Sequence, residues 1–279
     1  MSSVGALRAA TTLALWAAAS QGGASADDVL SAIDDAGHRA GVRAATSEIA
    51  AATGLPGPGW PSAGSAALLP LLREGGAAEL LLPYPGDMRG LPIGGELTVA
   101  GLEAGALVVL PANGIALVPS DGQWRAYACS TNHQALGLGE AHEMLDSAVG
   151  RATRSLTALD VARGSDSARE QVRRVMLEEA VTCPPGTPPA ASALLATSIS
   201  LHALLAVANA QDTAAVTSYE MAAVDDVLRP LAIAIRESRR AAVAAAVRVL
   251  AQQRSGGAGA TYGRQPSRSR RSAADPGHH

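Results

Sequence analysis

The stretch LLLPYPGDMRGLPIGGE, from Leu80 to Glu96, stops an apolar run with three prolines and four glycines. It sets one carboxylate, Asp87, close to one guanidinium, Arg89, with Tyr84 just upstream. A fixed loop carrying an acid, a base and a phenol can recognise a polar ligand or a partner surface. Loops that leave a strand towards a helix are a common place for such groups. The opposing expectation is that Asp87 caps the turn or pairs with Arg89 while the prolines fix its shape. Tyr84, Asp87 and Arg89 are thus the candidate ligand- or partner-binding residues.

A second group holds ligand types for a metal: Cys129, His133, Glu140, His142, Glu143 and Asp146. His142 and Asp146 share a helix face, but HEMLD is not H-E-x-x-H, and a second pair at familiar spacing is missing. The expectation is a solvated helix start with acids near its positive end, and no metal. His202 sits in an apolar helix and reads as a hydrogen-bonded core or boundary histidine. No G-x-S-x-G, phosphate-binding loop or dinucleotide fingerprint occurs, so no catalytic residue and no cofactor is assigned.

The elements that must position these groups change period along the chain. Residues 5–53 read as two or three helices interrupted at Gly37 and Gly41, followed by the turn-rich LPGPGWPSAG and a short helix in SAALLPLLREGG. AELLLP, GALVVLP, GIALVP and QWRAYAC then read as strands, with a hairpin turning at Asn113-Gly114 and a short helix in ELTVAGLEAG. After Cys129 helical periodicity returns: one helix through Leu138, Leu145 and Ala152, a second opened by Ser167-x-x-Glu170, and a third over Ala190–Ala210. That third helix is apolar nearly all round and is expected to be the most buried. A long last helix runs towards Leu250, kinked or divided at Pro230. The fold class is therefore α+β: N-terminal helices with a small sheet of about four strands, then a helical bundle and a disordered tail. The expected boundaries are 1–135 for the α+β domain, 136–253 for the bundle and 254–279 for the tail.

Composition narrows the function classes. Hydrophobic residues form 48% of the 279, which suffices for a core, but aromatics only 3%, so Leu, Val, Ile and Ala must build it. Phe and Lys are both absent, a bias of GC-rich coding rather than a sign of phosphate binding. Residues 254–279 carry Arg254, Arg264, Arg268, Arg270 and Arg271 against Asp275 alone, so the remaining body is acidic. An acidic body disfavours a broad nucleic-acid face. Two cysteines, Cys129 and Cys183, in no motif read as inert thiols in a reducing compartment. Arg8, the apolar run after it and Ala24-Ser25-Ala26 imitate an export signal, but the run is mostly Ala and reads better as a packed helix. No stretch is expected to approach a membrane span. A cytoplasmic location is the expectation.

Two resemblances enter here. TSEIAAATGLP (Thr46–Pro56) looks like the helix and turn that precede the recognition helix in winged-helix regulators, yet the helix that follows here is apolar and offers one Arg. The run LPYPGDMRGLP, with ELTVAGLEAGALVVLP, GIALVP and TALDVARG, resembles a group of uncharacterised actinobacterial proteins sharing an L-P-x-P-G-D-x-R-G-L-P element. That resemblance implies a cytosolic protein and no mechanism. The leading expectation is a non-catalytic cytoplasmic regulatory or protein-interaction protein with a protein partner and no membrane. The alternatives are a small-molecule-binding protein or enzyme using loop 83–92, and a helix-turn-helix regulator using residues 42–73.

Overall fold

The computed structural model describes residues 3–37, 39–88, 90–92, 94–130, 134–158, 166–211 and 218–257. Arg89, His38, His133 and the expected disordered tail beyond residue 257 lie outside them. The architecture is α+β, as expected. Its sheet has five strands rather than four, in the order β1-β5-β4-β3-β2. The unexpected strand is β1 (Val42–Ala44), which runs parallel to β5 (Gln123–Ala128) and pairs Arg43 with Arg125. Three residues are too few for periodicity to show. Gly41 makes the strand possible: its φ is 88°, and a Cβ there would overlap the Ala63 carbonyl that bridges to Val42. The other strands are antiparallel: β2 (Glu79–Leu81), β3 (Leu107–Leu110) and β4 (Ile115–Ser120). The β3–β4 hairpin turns where expected, with Gly114 left-handed.

Alternation along the strands divides the sheet into two faces. Val108, Leu110, Leu117, Trp124 and Ala126 join the larger core, against helices from both halves of the chain. Leu81, Leu107, Val109, Ala116, Val118 and Tyr127 form a smaller core on the opposite face under α5 (Glu96–Ala104). Helix α5 comes close because Gly101 has no Cβ; one there would stand 2.9 Å from Leu107 Cδ2.

At the centre of the larger core lies α1 (Ser3–Gln21), whose Ala10, Leu13, Ala14, Leu15, Ala17 and Ala18 are fully buried. It packs on α9 (Ser218–Gly257), and Trp16 Nε1 donates to the Thr182 carbonyl at 3.0 Å. The apolar N-terminal run is thus a core helix. It also packs on α2 (Ala26–Asp35), α4 (Leu68–Glu74) and α7 (Asp166–Glu179), while α6 (Leu138–Ala158) and α8 (Pro189–Gln211) pack on α9 and α3 (Ser47–Thr53) packs on β1 and β5. In α4, the would-be recognition helix, Leu68 and Leu72 are fully buried.

Two expectations are overturned. Helix α8 is not the most buried: Leu204 is 51% exposed, and Ala193, Ala196, Thr197 and Ala208 face outward. An all-apolar sequence says nothing about how many sides the fold covers, and among the described elements α8 packs chiefly on α7 and α9. Nor is the chain free of span-like stretches. Pro189–Ala210 is long and apolar enough to cross a membrane by length and composition, with 39% of its window buried in the fold. Pro230, finally, lies inside α9, which continues through it undivided.

Candidate functional site

The Pro/Gly loop meets α9, not open space. Tyr84 and Asp87 close a tight turn with reciprocal backbone bonds of 3.0 and 2.8 Å. Asp87 then reaches Arg236 of α9 at 3.8 Å, and the same guanidinium sits 4.7 Å above the Tyr84 ring. Of the three expected site residues, two are therefore gathered by one arginine from the far end of the sequence. Arg89 lies outside the described residues.

Arg236 begins a charged belt along α9. Arg240 donates from Nη1 to both Glu237 carboxylate oxygens, at 2.9 and 3.0 Å, and from Nε to the Leu80 carbonyl at 3.2 Å. Arg239 donates to the Glu179 carboxylate of α7 at 2.7 Å, and the other Glu179 oxygen bonds His202 Nδ1 of α8. Glu179 is wholly buried and Arg239 nearly so. Burial by itself would push the Glu179 carboxyl up. The hydrogen bond from His202 and the charge of Arg239 together outweigh that and hold it below the ordinary glutamate range. Burial is also the main reason Arg239 is lowered, opposed by the same carboxylate. Sequence reasoning placed His202 at a core boundary, where it is, but missed RESRR (Arg236–Arg240). The signal was there: four charges within five residues of a helix flanked by Ala and Ile.

The other charged cluster has the opposite character. Helix α5 covers the β2–β4 side of the sheet's second face and leaves the β5–β1 side as an open groove of about 1030 Å³. Arg43 and Arg125 stand side by side on its floor, in register across the parallel pair and about 4.8 Å apart along the sheet. Tyr127, two residues beyond Arg125, shares that face. Both arginines are half-buried, and the Arg125 Nε is buried with no hydrogen-bond partner among the described residues. Like charges directly opposite weaken a sheet, so this pair costs the fold stability. Glu96 and Glu103 on α5 and Asp121 in the β4–β5 turn rim the groove. Asp121 has a local reason to be there. With φ of 50° it makes, with Gly122 at 75°, the left-handed pair that a two-residue hairpin requires.

Of the residues of metal-ligand type, His133 lies outside the described residues. His142 and Asp146 lie 3.5 Å apart on the exposed side of α6, and among the described residues no three His, Cys, Asp or Glu side chains are placed to share an ion. Neither Cys129 nor Cys183 is in a disulfide.

Residues 10–136 match the N-terminal domain, and residues 139–240 the C-terminal domain, of the family described as Rv1486c-like protein. Both Rv1486c-like domains are present, in order. Two Mycobacterium tuberculosis proteins are similar over most of their length. The uncharacterized protein Rv1486c of strain H37Rv is 28% identical over 277 residues, 84% of this chain and 95% of its own. The uncharacterized protein MT1533 of strain CDC 1551 is 27% identical over 274 residues, again 84% and 95%. No solved structure matches. The chain thus stands with an uncharacterised actinobacterial group, while the shared P-G-D-x-R element remains a resemblance. In these terms the groove belongs to the Rv1486c-like N-terminal domain, Ala6 excepted. The loop latch and the Arg240–Leu80 bond tie that domain to the Rv1486c-like C-terminal one.

Proposed function

We propose that this is a non-catalytic, cytoplasmic binding protein whose sheet groove receives an anionic small molecule, a carboxylate or a phosphate. The observation that carries this reading is the Arg43–Arg125 pair. Two adjacent guanidiniums on a groove floor, neither joined by a hydrogen bond or ion pair to any described residue, form a fork suited to a planar or tetrahedral oxyanion. Among the described residues the groove's lining includes no His or Cys, which favours binding over turnover. A cytoplasmic setting is favoured because removing α1 as an export signal would take the centre out of the core.

Titration of the full chain at low salt with inorganic phosphate and with succinate tests this. Saturable shifts of the β1 and β5 amides, weakened in Arg43→Gln and Arg125→Gln, are the expected result. If neither probe gives saturable shifts there, the reading is wrong.

A second reading, a protein-interaction module, is favoured by one observation. The outward face of α8 is uncharged from Ala193 to Ala208, and Leu177 of α7 is 68% exposed. Nothing on that face indicates which partner would cover it.

A further inference from the structure

The groove carries more than its arginines. Glu96, Val99, Ala100 and Glu103 follow one another at helical spacing along the side of α5 that lines it, an acid at each end of an apolar stem. Glu96 has a local explanation, since an acid in the first turn complements the helix dipole. Glu103 has none. It is the penultimate residue of α5, beside the carbonyls of the negative end, where an acid is disfavoured. Val99 is 58% exposed on the same wall, with Val118 and Pro119 on the sheet side.

The groove therefore contains two charge placements that the local structure disfavours, of opposite sign, one on its floor and one on its wall. They do not cancel one another: no ion pair or hydrogen bond joins Arg43 or Arg125 to Glu96 or Glu103. A plain dianion would satisfy the floor and be repelled by the wall. A molecule with an anion at one end, an aliphatic stem and a cation at the other satisfies both.

We infer that the ligand is amphoteric, of the ω-amino acid type. Its carboxylate lies on Arg43 and Arg125, its methylenes lie along Val99 and Ala100, and its ammonium or guanidinium lies at Glu103 with Glu96 in support. This rests on the reading of the groove as a ligand site. It assigns Glu103 as the residue that selects an amphoteric ligand over a simple acid.

The test uses three probes of one length on the full chain: 6-aminohexanoate, hexanoate and hexylamine, titrated at low salt and followed by the amide shifts of β1, β5 and α5. The expected result is that 6-aminohexanoate binds about tenfold more tightly than hexanoate, the worth of one added charge contact. Glu103→Gln should erase that advantage by weakening 6-aminohexanoate without weakening hexanoate, while Arg125→Gln weakens both. Unchanged melting temperatures would show that the variants are folded. Equal binding of 6-aminohexanoate and hexanoate would overturn the amphoteric inference and leave the anion reading standing. So would phosphate binding with no response to either hexyl acid. Failure of all probes, phosphate and succinate included, would bring down the anion reading itself.

Discussion

The belt on α9 and the groove under α5 hold the same kinds of side chain and use them in opposite ways. In the belt, Arg236, Arg239 and Arg240 each meet a carboxylate, and the most buried acid, Glu179, takes a base on each oxygen. In the groove, two arginines share a floor and two glutamates share a wall, and none of the four bonds to another. Desolvated charge is costly unless it is paired, so the belt has to be complete for the helices to pack. The groove is open to water and tolerates unmet charge at a modest cost. Completed pairs hold a fold together, and unmet ones await something from outside.

Breaking the belt gives the largest effect. Glu179→Ala strands the buried Arg239 and removes the His202 contact, and should lower stability by about 3–5 kcal/mol in urea unfolding. The pH dependence follows from the same residue. The folded state holds the Glu179 carboxyl below its usual range, so on acidification the unfolded chain takes up the proton first. The stabilisation is full above the ordinary glutamate range and is lost as pH falls through the lowered value. Unfolding followed over that acid range should show the slope, and Glu179→Gln should flatten it.

The loop latch is weaker, because its charges are separated by 3.8 Å and are partly open to solvent. Arg236→Ala should cost about 1–2 kcal/mol in the same unfolding measurement, from the ion pair and the ring contact together. Hydrogen exchange should quicken at Tyr84 and Asp87, whose amides close the turn. The smallest effect belongs to the groove. Arg125→Gln should leave stability unchanged or raise it by about 0.5 kcal/mol, since it removes a like-charge neighbour. It should nevertheless weaken anion binding. A large loss of stability there would mean the arginine is structural, and the contrast between the regions would fail.

Much of the fold was legible because it depends on local chemistry. Asn113-Gly114 makes its hairpin, ELTVAGLEA forms α5, and Leu145 and Ala152 of α6 face inward as spaced. What stayed hidden depends on distant partners. Val42–Ala44 becomes a strand only because β5, some eighty residues later, offers an edge, and that pairing alone brings Arg43 to Arg125. The QWRAYA alternation does put Arg125 and Tyr127 on one face, so half of the groove floor could be read. The Pro and Gly of the loop announced its turn, which Tyr84 and Asp87 close, but the partner of Asp87 lay at Arg236, far beyond the range of any local pattern. Helices α1 and α8 show the same limit. Both are apolar, yet α1 is enclosed all round and α8 on two sides, a difference set by topology.

The central place of α1 has a consequence for how the chain is made. Among the described elements this helix comes first in chain order, while α9, against which it packs, comes last. Helices α2, α4 and α7 and the sheet can cover part of its small, Ala-rich surface earlier, but the strip that meets α9 stays open until α9 has been made. The larger core therefore closes only once α9 is in place, and until then that apolar strip is available to chaperones.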